Sequence, residues 1–126
     1  MRELAQSLLT QTKGNVAMVF ALALPVVVGG AGFGVETTYW YYKSLELQAA
    51  ADAAAHAGAI ERRSGADDEA VTDVAVMAAT QNGYNSAVGT AVVNAPPQSG
   101  PSAGGDAVEV ILTEVADRFF TRMFME

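Results

Sequence analysis

The sequence predicts an α+β protein built on one long N-terminal helix, followed by a small second helix, a two-stranded hairpin and a short C-terminal helix. Three observations predict it. Residues 15–35, NVAMVFALALPVVVGGAGFGV, carry no charge. Residues 36–63 contain no proline and are rich in alanine. The remainder is acidic, with one helical stretch and two β-branched runs set between turn-forming residues. The chain divides accordingly into residues 1–14, an apolar half-helix at 15–35, a soluble half-helix at 36–64 and a small acidic head at 65–126. At 126 residues there is room for one modest domain.

The apolar half-helix comes first. Twenty-one helical residues span about 32 Å at about 1.5 Å each, which matches a bilayer core of roughly 30 Å. A buried helix of a soluble domain is the alternative, but so small a domain has little with which to surround it. The preceding residues hold Arg2 and Lys13 against Glu3, whereas residues 36–126 hold thirteen acids and five bases. The positive-inside bias keeps the amino terminus cytoplasmic and sends the acidic part outward. A cleaved secretory signal is a rival reading, with Gly32 and Gly34 at the small-residue positions, although Pro25, Phe33 and the long leader fit it poorly. Pro25 removes a backbone donor and should kink or open the helix. The GGAGFG run does not match the G-x-G-x-x-G order of a dinucleotide loop and lacks its strand-turn-helix setting. Gly30 and Gly34 have the GxxxG spacing of close-packed membrane helices, a weak signal.

The helix should continue well past the span. Eight of the eleven residues 49–59 are alanine, a strong helix former. Alternating steps of three and four residues connect Gly30, Phe33, Thr37, Trp40, Ser44, Leu47, Ala51, Ala54 and Gly58 in one seam. Small residues there permit close helix approach, with Trp40 and Leu47 as large anchors. The seam can serve packing between copies, packing of the helix on its own head, or each at a different height. Tyr39, Trp40, Tyr41 and Tyr42 fall just beyond the apolar run, as expected of an aromatic belt at the membrane-water boundary. Their consecutive placement spreads them around the helix and suits a belt better than a flat sugar-binding platform.

Arg62, Arg63 and Gly65 should end the long helix, with two basic residues at its negative pole and a left-handed glycine cap. Asp67, Asp68 and Glu69 open a second helix that reaches about Gln81 and stops before Gly83. Its expected core face is Ala70, Val71, Val74, Met77 and Ala78. The acids at 67, 68, 69 and 73 lack the glycine and spacing of a calcium loop, so capping is the reading preferred. Residues 90–94 and 107–115 read as strands, the latter with Val108, Val110 and Leu112 on one face. The loop between them is rich in proline and glycine. Two strands alone are marginal, so they should lean on a helix or a partner. Asp117 is placed to cap a last helical turn or two, along which Phe119, Phe120, Met123 and Phe124 form an apolar stripe. That stripe is barely complete at the last residue, as in a short or truncated form of a longer architecture.

Charge and composition limit the chemistry. A net charge of -7 argues against nucleic acid as a partner. The chain has no cysteine and one histidine, which excludes disulfides, thiol nucleophiles and cysteine-based zinc sites. Asp52 and His56 stand at i, i+4, but no serine completes a triad. No enzyme, cofactor or metal site is expected.

Residues 13–59 resemble the N-terminal region of TadG-like proteins, of the TadE/TadG family of tight-adherence (Flp-type) pilus systems. The blocks in order are Lys13-Gly14, then Asn15 to Ala17, Phe20 to Leu22, Pro25, the glycine-rich stretch through Glu36, and Leu47 to Ala55. This resemblance implies a type IV pilin-like helix, with prepilin peptidase cutting between Gly14 and Asn15. It implies an inner-membrane anchor whose C-terminal part lies outside the cytoplasm, then assembly with copies of itself or other pilin-like subunits into a surface adhesion filament. Gly30, Phe33, Trp40, Leu47, Ala51, Ala54 and Gly58 are the residues expected to carry that assembly. Val19 occupies the fifth position after the cleavage site, where such proteins usually carry glutamate. A one-span accessory protein of pilus assembly, with an acidic periplasmic domain, is therefore the alternative.

Overall fold

The computed structural model describes residues 12–123. Most of the leader and Phe124 lie outside the described residues. The elements in order are helix α1 (Thr12–Arg63), helix α2 (Asp68–Gln81), strands β1 (Gly89–Asn94) and β2 (Glu109–Glu114), and a 3-10 turn at Thr121–Met123. The α+β fold class follows as expected. The C-terminal element is a single 3-10 turn, and residues 115–118 leading into it have no regular structure. The described residues fall into two compact units, one made of residues through Thr38 together with Arg118 to Met123, the other of Tyr39 to Asp117.

Both helix ends in the second unit close as their glycines suggest. At the end of α1, Ala66 N–H reaches Glu61 C=O and Gly65 N–H reaches Arg62 C=O. At the end of α2, Tyr84 N–H reaches Ala79 C=O and Gly83 N–H reaches Thr80 C=O. Each pair of bonds is a Schellman cap, with Gly65 and Gly83 at positive φ. Asp67 caps the start of α2, its carboxylate accepting from Ala70 N–H at 2.9 Å. That bond accounts for Asp67 as a capping acid.

The core of the second unit is small and built largely of alanine. Ala50 and Ala54 of α1, Ala75 and Ala79 of α2, and Tyr84 are buried together. Ala91, Val93, Val110 and Leu112 of the hairpin close over them. The strands are antiparallel, with Ala91 opposite Leu112 and Val93 opposite Val110. Those four residues share a face by the period-two rule, leaving Val92 and Ile111 outward. The core face of α2 differs from the sequence expectation. Val71, Ala75 and Ala79 are buried, whereas Met77 is 55% exposed. Strict i, i+4 spacing aligns the smallest side chains, which lets helices approach more closely than a methionine would allow. The hairpin loop is tied down by Glu109, whose carboxylate accepts from Asn94 Nδ2, Gln98 N–H and the Ser99 hydroxyl. The Ser99 and Asn94 side chains, then the Gln98 amide, hold that carboxyl below the ordinary glutamate value.

Candidate functional site: the apolar helix and its exit

Within the first unit, α1 carries an apolar surface that the other described residues leave open. Val16, Val19, Leu22, Val26, Val27 and Val35 are between 65% and 74% exposed. None of the most apolar eighteen-residue window is buried. Covering side chains of this kind is worth about 1.5–3 kcal/mol each. Six of them together represent on the order of 10 kcal/mol, comparable to the whole stability of a small domain. So large an uncovered patch marks an interaction surface. Pro25 lies inside the continuous helix. It offers no N–H to the carbonyl four residues earlier. The bond between Gly14 and Asn15 lies within the described helix.

At the end of the uncharged stretch stands Glu36, which is 1% exposed. Its Oε1 accepts from Phe119 N–H at 2.7 Å and from the Thr121 hydroxyl at 3.1 Å. Its Oε2 accepts from Thr121 N–H at 2.9 Å. Three donors converging on one carboxyl suit a carboxylate, which accepts on both oxygens. The same contact brings Phe120 against Gly32, one helical turn earlier. A Cβ on Gly32 would lie 2.5 Å from Phe120 Cδ2, so only glycine leaves space for the ring there. Glu36 is the first charge after the apolar run, and nothing in the sequence assigns it a partner. The signal available was a lone acid abutting a membrane-length segment, which needs donors if it is to be buried.

In the second unit the aromatic run is divided. Tyr41 and Tyr42 are 66% and 63% exposed. Tyr39 and Trp40 are half-buried and line a groove of about 540 Å³ with Lys43, Leu47, Val88 and Glu114. Trp40 Nε1–H donates to Asp117 C=O at 3.0 Å. Asp117 thus holds Trp40 through its backbone, and the cap expected of it heads no α-helix.

The residues of the seam are likewise divided by height. Gly30 and Phe33 are exposed, and Trp40, Leu47 and Ala51 are half-buried. Ala54 and Gly58 are buried in the core of the second unit. A Cβ on Gly58 would stand 3.3 Å from Val108 Cγ1, 3.4 Å from Ala75 Cβ and 3.5 Å from Val71 Cγ1. The buried row of α1 is Ala50, Ala54 and Gly58, one residue away from the expected Ala51. Ala54 and Gly58 therefore serve the protein's own packing, whereas Gly30, Phe33 and Ser44 face outward. Asp52 accepts from Gln48 Nε2 at 2.8 Å, and His56 is exposed. Among the described residues, no group of three acids or histidines is arranged to hold a metal.

These features define a class: a protein with one membrane-length apolar helix continuing into a small α+β head. Residues 14–63 match the Tad family model, described as "Putative Flp pilus-assembly TadE/G-like". The match coincides with α1 and supports a TadE/TadG-like family assignment carried by that helix. It associates the chain with Flp, or tight-adherence, pilus systems and with a structural or accessory role. No curated protein and no solved structure gives a significant match.

Proposed function

We propose that this chain is a pilin-like structural subunit of a tight-adherence surface filament. The observation that carries the reading is the uncovered apolar surface of α1 from Val16 to Val35. Lipid covers that surface while the subunit waits in the inner membrane, and other subunits cover it after assembly. A helix satisfies its own backbone in both settings, so the transfer exposes no polar group to lipid. Gly30 and Phe33 supply the outward part of the assembly seam. Prepilin peptidase removes the leader between Gly14 and Asn15, and the head remains outside the cytoplasm. Tyr41 and Tyr42 mark the membrane boundary before assembly.

Val19 favours a second reading, a permanently anchored accessory protein of pilus assembly, because it cannot supply the acid usual at that position. The amino-terminal sequence and intact mass of the protein from its native cell envelope separate the two. A chain beginning at Asn15 is the expected result for a subunit. A chain that keeps residues 1–14 contradicts the subunit reading and supports the anchor. One beginning near Val35 contradicts both.

A further inference from the structure

The C-terminal segment of the first unit offers a surface that the helix alone does not explain. Residues 118–123 are fixed on α1 by the three hydrogen bonds to Glu36. Phe120 lies on Gly32, which is four residues, or about 6 Å, back along the helix from Glu36. Gly32 belongs to the uncharged run, so the ring sits beside that run rather than beyond it. Around it Val35, Phe119 and Met123 complete one apolar patch with Gly32. Val35 and Met123 are 72% and 73% exposed. Arg118 and Arg122, both exposed, adjoin Phe119 and Met123 in sequence, in a chain of net charge -7.

We propose that residues 118–123 form a second membrane-contacting element, clipped by Glu36 beside the last turn of the apolar run, so that Phe120 and Met123 enter the interfacial layer of a bilayer containing anionic phospholipid. Three features select lipid as the occupant. The patch is continuous with the apolar surface of α1, so a bilayer that covers Val35 also reaches Met123. Apolar side chains such as phenylalanine are what interfacial elements bury at the headgroup–acyl boundary. Two arginines complement anionic headgroups, where the acidic remainder of the chain would be repelled. Glu36 can lie at this boundary because its charge is met by three donors instead of by water. The clip thereby anchors the end of the described chain at the height where the helix leaves the membrane.

This inference rests on α1 spanning the bilayer, and the experiment tests the two separately. The chain has no cysteine, so Met123→Cys and Val26→Cys each give a single site for a polarity-sensitive fluorophore. The full chain is reconstituted into vesicles of phosphatidylcholine and phosphatidylglycerol, with and without brominated acyl chains. Both labels should be quenched by bromine, Met123 by chains brominated near the headgroup. Glu36→Ala should abolish quenching at Met123 while leaving it at Val26. Phe120→Ser should weaken it in the same direction, and provides the comparison if the Glu36 variant misfolds. A label at Met123 that stays unquenched while Val26 is quenched overturns the proposal and leaves the spanning helix standing. Blue-shifted emission at Met123 without bromine quenching overturns it in favour of a protein cover. Unquenched labels at both sites overturn the spanning reading itself. Full quenching at Met123 in both variants overturns the clip.

Discussion

Val71 and Gly58 meet across the interface between α1 and α2, and a double-mutant cycle on them tests the packing of the head. Val71 is fully buried. Val71→Ala removes two methyl groups, about 0.8 kcal/mol each by transfer. With a residual cavity the cost becomes about 2–3 kcal/mol. Gly58→Ala acts in two opposing ways. Replacing a mid-helix glycine favours the helix by about 1 kcal/mol. Against that, the new methyl falls 3.3 Å from Val108 Cγ1, 3.4 Å from Ala75 Cβ and 3.5 Å from Val71 Cγ1. The neighbours must yield slightly, which offsets most of the gain. In the Val71→Ala background one of these neighbours is gone and the methyl occupies part of the cavity. The double variant should therefore be more stable than the sum of its parts by about 0.5–1 kcal/mol. Urea unfolding of the full chain in detergent, followed by the fluorescence of the sole tryptophan, Trp40, measures all four corners. Additivity within about 0.3 kcal/mol would refute the shared contact. A cost below about 0.5 kcal/mol for Val71→Ala would place that residue on a surface instead of in a core.

Three further outcomes follow from named contacts. Asp67→Ala should cost about 1 kcal/mol in the same unfolding assay, because Ala70 N–H loses its acceptor at the first turn of α2. Gly89→Ala should destabilise the hairpin by about 1–3 kcal/mol, since its Cβ would overlap the Thr113 carbonyl oxygen and stand 2.9 Å from Tyr84 Cε2. The pH dependence concerns Glu109, whose folded pKa is depressed by Ser99, Asn94 and Gln98 below the ordinary value of 4.5. Its contribution is complete above pH 4.5 and is lost as pH falls through the lower folded value, so an acid titration of stability should fall less steeply in Glu109→Gln.

The long helix, the glycine-capped ends of both helices, the Asp67 cap of the second helix and the hairpin were legible because each rests on local chemistry. Arg62, Arg63 and Gly65 mark an end whatever surrounds them, and Asp67 caps whatever follows. Alternation in 107–115 placed Val110 and Leu112 on the inner face without knowledge of what they would touch. Tertiary choices were less legible. Ala50 and Ala51 are chemically identical, so the sequence offered no reason to prefer the i, i+4 row that the close contact with Ala75 and Ala79 selects. Met77 looked like core by hydrophobicity and lies outside because alanines supply the tighter fit. The Glu36 clasp joins residues 83 and 85 positions apart, and no periodicity links them. Asp117 was misleading for the same reason: its carbonyl is engaged by Trp40, 77 residues earlier. Of the residues proposed for assembly, Gly30 and Phe33 face outward. The lower part of the seam divides between Ala51, which is half-buried, and Ala54 and Gly58, which are enclosed in the head.

Cysteine cross-linking in the native cell envelope tests the division of the helix most directly. Phe33 is 55% exposed and lies in the upper seam, whereas Ala54 is fully buried in the head. In a chain without other cysteines, Phe33→Cys should give covalently joined copies under mild oxidation, and Ala54→Cys should give none. Joined copies from Ala54→Cys with none from Phe33→Cys would contradict the account, placing the contact between subunits on the face assigned here to the protein's own core.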